Sequence, residues 1–291
     1  MDRHSKFSVS PLPRARWNVL DMITFVGVTS IRHCLVAEID MTWAESLRKQ
    51  MSEQGHKITI TALLLKAIGI AQREHPETRT MFLPFGKRAI LNNIAAGFTV
   101  EKLVKDQPVV FFGTIDAPDS SSLETITAEL SRYAQLPVEE LPRLAKEERF
   151  TRLPWLLRRL ILWFGLRHPF MRLLVNQATF GLTSLGKFGV QSVVSPCSST
   201  STFGVGSVEM RPVVQNDEVV AKPMMTLTYT FDQRILDERP AARFMHDIRS
   251  LIEGRLQEHL VQATATKPLR QDSWSRLEQL DPERRKAAAA R

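Results

Sequence analysis

The chain has 291 residues, a formal net charge of +8, and 43% hydrophobic against 24% charged residues. This composition is typical of a globular protein with a sizeable core and excludes a chain that is disordered throughout. Without a Pro/Gly/Ser-rich linker, the length fits one large α/β domain with tails. The charge could serve a membrane surface or an anionic ligand. We expect no nucleic acid partner, because the basic residues are scattered and match no nucleic-acid-binding motif.

The two cysteines, Cys34 and Cys197, lie far apart and lack metal-ligand spacing. They predict neither a disulfide framework nor a metal site, and a reducing compartment is the simpler expectation. No apolar stretch of signal-peptide type follows Met1, and no run is long and uncharged enough to span a bilayer. We therefore expect a cytoplasmic protein.

The first third of the chain predicts an extended arm, one strand and two helices. Residues 1–26 mix prolines with apolar residues, which suits an arm packed on a neighbouring chain or on the core. Residues 31–40 are predicted as a strand and residues 43–51 as an amphipathic helix. A second helix ends before Pro76, because a residue that precedes proline is driven out of helical geometry. Its candidate cap residues are Thr59 and Thr61.

The middle of the chain predicts two strands, over 90–100 and 109–115, connected by the charged segment 101–106. Serines 120–122 then mark the start of a helix that runs to about Tyr133. Strands that alternate with helices indicate an α/β sandwich, and the order in which the strands pair is not readable from the sequence.

Near the C-terminus, residues 225–231 alternate threonines with large apolar residues, which predicts a strand with one hydroxyl face. That hydroxyl face must be wet, paired or functional. A helix follows, with Pro240 in its first turn and apolar residues at helical spacing as far as Leu256. Residues 263–291 are polar and are predicted to form a disordered tail.

Between this strand and this helix the chain reads Asp232-Gln233-Arg234-Ile235-Leu236-Asp237-Glu238. The heptad resembles the His-x-x-x-Asp-Gly motif of the 2-oxo acid dehydrogenase acyltransferase catalytic domains and of the related chloramphenicol acetyltransferases. Gln233 stands at the histidine position and Glu238 at the glycine position. A carboxamide has no usable basicity near pH 7, so Gln233 can position a group but cannot be a general base. Glycine allows backbone conformations that glutamate tolerates poorly.

The resemblance covers about residues 27–256 and places the chain in a single-domain bacterial branch of the family. It implies an α/β fold of the chloramphenicol acetyltransferase-like type, a two-layer sandwich with a mixed sheet and helices on one face. We expect a catalytic domain over 27–262. The segments that carry the resemblance occur in family order: Ile31 to Asp40, Ala62 to Glu77, Asn93 to Val110, Phe180 to Gly186, and Phe231 to Ile252.

The resemblance also implies a trimer, with coenzyme A and the acyl acceptor entering a channel between subunits. Its hydroxyl donor to the oxyanion falls on Thr183, its structural aspartate on Asp237 and its base on Gln233. We predict contacts to coenzyme A or acyl-CoA from Thr183, Ser184 and Arg234. His33 matches a histidine common in the family's first strand, and it is either a substitute base or a packed core residue. Arg234 and Arg239 are the candidate partners of Asp237.

Residues 152–176 form an apolar, basic helical insertion that the family does not explain. Within it, residues 153–175 combine tryptophans, leucines and arginines, which suits a helix in a membrane interface or one that lines an acyl-chain cavity. The alternative is a pair of helices buried against the trimer or a partner subunit. The insertion adds a peripheral membrane position to the cytoplasmic expectation.

The chain shows no lipoyl-attachment domain, subunit-binding domain or long Ala/Pro linker. We therefore expect no covalently bound lipoyl group, and an acceptor that is free or delivered in trans by an acyl-carrier or lipoyl protein. The first functional hypothesis is an acyltransferase-like protein, forming a homotrimer or a higher assembly of trimers. Its activity would persist if His33 or the acceptor itself supplied the base. The second is an inactive homologue that forms a hetero-oligomer with an active paralogue.

Overall fold

The computed structural model describes residues 32–83, 87–104, 107–167, 178–195 and 200–265. The predicted arm over 1–26 and the tail beyond residue 265 lie outside these ranges. The chain divides into two compact units, Met1–Arg255 and Leu256–Arg291. The described part of the second unit is a helix.

The described elements alternate strands and helices along the chain, as predicted. The strands are β1 Arg32–Asp40, β2 Thr80–Phe82, β3 Arg88–Ile90, β4 Ala95–Val104, β5 Gln107–Asp116, β6 Phe180–Ser184, β7 Ser201–Gln215 and β8 Glu218–Asp232. The helices are α1 Thr42–Glu53, α2 Ile60–Glu74, α3 Leu123–Gln135, α4 Pro142–Thr151, α5 Trp155–Arg167, α6 Glu238–Ser250 and α7 Leu256–Ala265.

Six strands form one mixed sheet in the order β1-β8-β7-β6-β4-β5. β6 runs parallel to both β4 and β7, and the other neighbours are antiparallel. β7 and β8 are joined by Asn216 and Asp217, whose φ angles of 52° and 64° are typical of a two-residue hairpin turn. The predicted two-layer α/β architecture with a mixed sheet and helices on one face is therefore confirmed.

An aromatic cluster forms the core between the sheet and its helices. Phe203 and Tyr229 stack at a centroid distance of 4.9 Å, and Phe244 of α6 meets Tyr229 edge-on at 5.3 Å. All three side chains are fully buried. Burial of a large apolar side chain stabilises the fold by about 1.5–3 kcal/mol. The cluster therefore holds α6 firmly against β8, at the strand that carries the motif.

The opposite face of the sheet carries the threonines predicted from the alternation in β8. Thr228 is buried, and its hydroxyl donates to the carbonyl of Val193. A Cβ atom built at Gly204 would lie 1.8 Å from the same carbonyl, and one at Gly206 would lie 1.9 Å from the carbonyl of Gln191. The segment 190–195 therefore crosses directly over the glycines, and the hydroxyl face is covered and hydrogen-bonded there.

Local signals set the ends of the helices. Thr59 accepts a hydrogen bond from the Ala62 amide at 3.1 Å, and Ser122 accepts one from the Thr125 amide at 3.2 Å. Helix α2 ends at Glu74, immediately before His75 and Pro76, as predicted. These caps satisfy amides that the helices leave unpaired at their first turns.

A buried lysine joins α2 to the loop that leads into α3. Lys66 is 3% exposed, and its ammonium donates to the carbonyls of Asp119 and Ser121 at 2.8 and 2.7 Å. Burial lowers the pKa of this lysine.

Two sequence predictions are corrected by the pairing of the strands. The predicted strand over 90–100 is two strands, because β3 ends at Ile90 and β4 begins at Ala95. The charged residues of 101–106 are not a simple connection, since Glu101 and Lys102 pair with Val110 and Val109 in the β4–β5 hairpin. A hairpin with one face in water alternates polar and apolar residues. The charged residues therefore do not mark the end of either strand.

The predicted final helix is also interrupted. It continues from Glu238 to Ser250, and a π-helical turn over Leu251–Arg255 follows it. Gly254 in that turn has a φ of 156°, a conformation open to glycine and strained for other residues.

Candidate active site

The motif forms a tight turn between the end of β8 and the start of α6. Asp232 is buried, and its carboxylate accepts from the Arg234 amide at 3.1 Å and from the Arg234 Nε at 2.9 Å. A further bond joins the Arg234 guanidinium to the second carboxylate oxygen. This hydrogen bonding raises the pKa of Arg234. The pair fixes the turn on either side of Gln233, which is half-buried.

Asp237 is the residue that immediately precedes α6. Its carbonyl accepts the Ala241 amide at 3.1 Å, whereas its side chain makes no capping hydrogen bond. The side chain is exposed and forms no ion pair with any residue that the structure describes. Arg234 is bonded to Asp232, and neither Arg234 nor Arg239 forms an ion pair with Asp237. Asp237 thus contributes to the helix start through its backbone.

Glu238, at the glycine position of the motif, is the first residue of α6. Its backbone is helical and does not require a positive φ, so the concern that glutamate would be strained there is unfounded. An acidic residue in the first turn also interacts favourably with the helix dipole. The Glu238 Oε1 lies 3.3 Å from the Nδ1 of His33, with side-chain exposures of 63% and 41%.

The register of β1 against β8 explains why His33 and Glu238 are in contact. His33 in β1 pairs with Phe231 in β8, two residues before Gln233, and its ring lies 6.1 Å from the Phe231 ring. His33 is therefore a half-buried strand residue at the edge of the motif turn, and not a fully packed core histidine. The pairing of β1 with β8 therefore places His33 in contact with Glu238, at the turn that contains Gln233.

Thr183 is not brought to this cluster within one chain. It pairs with Gly204 in β7, which in turn pairs with Thr228 in β8. Gln233 lies five residues beyond Thr228, a separation of about 16 Å along the strands and about 10 Å across two of them. Ser184 ends β6 next to Thr183 and is exposed. The predicted oxyanion donor and the motif turn are thus two separate parts of the molecule.

No group of three or more His, Cys, Asp or Glu residues that could hold a metal ion occurs in the described ranges. Cys34 in β1 is an exposed free thiol, and Cys197 lies outside the described residues. The cluster at the motif turn therefore offers acid–base and hydrogen-bonding groups: one imidazole, one carboxamide and two exposed carboxylates.

Comparison with known families agrees with the fold and with the position of this turn. A family model described as the 2-oxoacid dehydrogenases acyltransferase (catalytic domain) matches residues 174–260, which include β6, the β7–β8 hairpin and the motif. Residues 174–260 are therefore similar to this catalytic domain. The resemblance seen in the motif is therefore confirmed at the level of the family, whereas the role of Gln233 stays a prediction.

Relatives extend this match over most of the chain. The lipoamide acyltransferase component of the branched-chain alpha-keto acid dehydrogenase complex of Pseudomonas putida is 25% identical over 224 residues, covering 75% of this chain and 46% of the relative. The dihydrolipoyllysine-residue acetyltransferase component of the acetoin cleaving system of Bacillus subtilis is 24% identical, covering 75% and 48%. This acyltransferase-like chain spans about half the length of these relatives.

Solved structures show the same fold. A dihydrolipoamide acetyltransferase of Azotobacter vinelandii superimposes with a TM-score of 0.66 at 20% identity, covering 87% of this chain and 94% of the other. A probable dihydrolipoamide acetyltransferase of Listeria monocytogenes gives a TM-score of 0.64 at 20% identity, covering 85% and 95%. The predicted chloramphenicol acetyltransferase-like fold class is thus confirmed.

One prediction is wrong in the light of these relatives, namely the absence of a covalently bound lipoyl group. The relatives are named as lipoamide acyltransferase or dihydrolipoyllysine-residue acetyltransferase components, so a lipoyl group is part of what those proteins are named for. The prediction relied on the lack of a lipoyl domain within the chain. Because the chain spans only half of those relatives, that lack is no evidence against a lipoyl group.

Sequence reasoning located the motif but missed how two of its residues are used. Asp232 and Arg234 bond to each other and shape the turn, which their spacing of two residues could have suggested. The contact between His33 and Glu238 joins residues from opposite ends of the domain. No local pattern signals that contact, since it depends on the pairing of β1 with β8.

Proposed function

We propose that this chain is an acyltransferase that moves an acyl group between coenzyme A and a thiol or hydroxyl acceptor, with His33 as its base. The observation that carries the proposal is the contact between His33 and Glu238, beside the position where the motif histidine is replaced by Gln233. A thiol of the dihydrolipoyl group, which the names of the relatives contain, is the first acceptor to test.

The geometry assigns a role to each ring nitrogen of His33. Nδ1 faces Glu238, so Nε2 remains for the acceptor proton, and the carboxylate fixes the tautomer and the ring orientation. Nε2 takes the proton from the acceptor thiol, and the thiolate attacks the thioester carbonyl of the acyl-CoA. When the tetrahedral intermediate collapses, the coenzyme A thiolate leaves and recovers that proton from His33.

The oxyanion of the intermediate needs a donor, and Thr183 is the candidate. Because Thr183 lies on β6, about 19 Å from the motif turn by the spacings of the sheet, one chain does not form the complete site. We assign the donor to Thr183 of a second copy, in an assembly of trimers. A preorganised oxyanion donor contributes about 3 kcal/mol to catalysis.

The family comparison supports the assignment of positions. In the Azotobacter enzyme, a serine, a histidine 52 residues later and an asparagine four residues after that were investigated for their role in the catalytic mechanism. Here Thr183 precedes Gln233 by 50 residues, and Asp237 follows Gln233 by four. Arg234 is held by Asp232, so its predicted contact to coenzyme A would use the part of the guanidinium that Asp232 leaves accessible.

A second candidate function is favoured by Gln233 itself. A chain that has lost its motif base could serve as a structural or regulatory subunit beside an active paralogue. In that arrangement the paralogue supplies the histidine.

One experiment separates the two functions. Thiol release is measured from short-, medium- and long-chain acyl-CoA donors, with dihydrolipoamide, amine and hydroxyl acceptors, for wild type and for His33→Gln, Glu238→Gln and Gln233→His. We expect kcat to fall about 100- to 10,000-fold in His33→Gln. Glu238→Gln should lower kcat by less and leave KM unchanged, because Glu238 orients the base and does not bind substrate.

The exposed His246 of α6 provides the matched control, and His246→Gln should retain wild-type turnover. Full activity in His33→Gln would show that the acceptor supplies its own base and would overturn the assignment of His33. A silent wild type beside an active Gln233→His variant would establish the second function.

A further inference from the structure

Helix α5 buries a basic residue and exposes its large apolar residues, which is the reverse of the usual arrangement in a surface helix of a soluble protein. Arg158 is 3% exposed and is the buried residue among the α5 side chains that the structure describes, positions 155–165. The large apolar side chains of the helix are instead exposed: Trp155, Leu156, Leu157, Leu160, Ile161, Trp163 and Phe164.

These exposed residues form one continuous face. At about 100° per residue, six of them occupy an arc of about 160° around the helix. A helix of a globular protein normally directs such an arc at the core. Monomeric soluble proteins rarely leave an apolar patch of this kind in water. The members of the arc are Leu156, Leu157, Leu160, Ile161, Trp163 and Phe164.

The chemistry at the edge of this face is cationic and aromatic. Arg159 lies with its Cζ 5.5 Å from the centre of the Trp155 ring, beside the arc. The segment 152–176 contains five arginines and no aspartate or glutamate. Tryptophan and arginine both have an apolar body and a polar end, and both concentrate where hydrocarbon meets water.

From these observations we infer that α5 binds the surface of an anionic membrane, with its apolar face in the interfacial layer and Arg159, at the edge of that face, at the lipid headgroups. Charge complementarity selects this occupant. The segment 152–176 of a second copy offers no acidic residue to pair with Arg159, whereas anionic lipids attract each basic residue near the surface.

The helix rests on the membrane and does not cross it. Its 13 residues extend about 20 Å, against the roughly 30 Å of a hydrocarbon core. Within the described ranges, no helix is long and apolar enough for a span. The inference is independent of the proposed acyl transfer, because α5 carries none of the residues of the candidate active site.

The test is co-sedimentation of the full chain with vesicles of phosphatidylcholine alone and of phosphatidylcholine with phosphatidylglycerol. We expect binding to the anionic vesicles that weakens as salt is raised, and a loss of at least about tenfold in Leu160→Asp. The matched control is Leu103→Asp in β4, because Leu103 is 74% exposed and Leu160 is 60% exposed. Arg159→Gln should weaken binding by about fivefold.

Three outcomes would overturn the inference. Wild type could fail to bind either vesicle, or Leu160→Asp could bind as wild type does. The third is measured by sedimentation velocity without lipid. If wild type does not bind vesicles and forms an assembly that Leu160→Asp dissociates and Leu103→Asp leaves intact, the face is a contact between copies. Unchanged melting curves for both aspartate variants would show that neither change unfolds the protein.

Discussion

Helices α5 and α6 have 13 residues each, and the fold treats them in opposite ways. In α6, Ala241, Phe244, Met245 and Ile248 are buried, and the charged residues are exposed except for the half-buried Asp247. In α5, a buried arginine lies behind an exposed apolar face. The apolar residues on the inner face of α6 are buried in the core, whereas those on the outer face of α5 are exposed in the described part of the fold. Hydrophobic residues at helical spacing therefore predict a buried face without saying what buries it.

The largest expected difference comes from the same substitution in both helices. Ile248→Ala in α6 should lower the free energy of unfolding by about 2–5 kcal/mol, because Ile248 is fully buried beside the aromatic core. Ile161→Ala in α5 should change it by less than about 0.5 kcal/mol, since Ile161 is 45% exposed. Urea unfolding measures both. Equal losses would break the comparison and would mean that α5 is packed in solution.

A pH-dependent effect is expected from Glu147 on α4, the helix that leads into α5. Burial raises the pKa of this glutamate to about 7 from 4.5. The folded state thus holds the proton more tightly than the unfolded state, so this contribution to stability is present below pH 4.5 and is lost as the pH rises through 7. Glu147→Gln should therefore be more stable than wild type at pH 8, by up to about 3 kcal/mol, and nearly equal to it at pH 4.5.

Thermal unfolding at the two pH values measures this effect. Glu129→Gln is the control, because Glu129 lies on the surface of α3 and pairs with Arg132. Its substitution should shift stability little, and equally at both pH values. A stabilisation of Glu147→Gln that is the same at pH 4.5 and pH 8 would exclude titration as its cause.

A further expected difference, in the sign of the change, concerns two glycines. Gly204→Ala should destabilise the protein by about 1–3 kcal/mol, because its Cβ would meet the Val193 carbonyl beneath the segment 190–195. Gly165→Ala in α5 meets nothing within 4 Å and should stabilise the helix by up to about 1 kcal/mol. Chemical denaturation of both variants decides the sign of each change. A neutral Gly204→Ala would show that the covering segment moves aside easily.

The sequence predicted those parts of the fold whose signals are local. The alternation of residues 225–231 identified the inner part of β8, and the spacing of Phe244 and Ile248 identified α6. The full length of the β7–β8 hairpin was missed. Its outer part leaves apolar residues such as Val214 and Val219 exposed, so no single buried face marks it. The turn at Asn216 and Asp217 was the available signal.

The candidate site divides in the same way. Gln233 and Asp237 could be identified from the sequence because both belong to one short motif. The contact of His33 with Glu238, and the distance of Thr183 from both, depend on which strands are neighbours in the sheet. Strand order is a property of the whole domain. A single sequence therefore indicated which residues matter without indicating which of them meet.

The position of β1 in the sheet has a consequence for the synthesis of the protein. The first described strand pairs with the eighth, from Arg32 with Asp232 to Asp40 with Met224. At about 5–20 residues per second, a ribosome needs roughly 10–40 s after completing β1 to produce its partner. During that time β1 lacks this neighbour, and among the residues that the structure describes β8 is the one strand that pairs with it. Closure of the central sheet must therefore wait until β8 has been synthesised, and long-range pairing of this kind folds slowly.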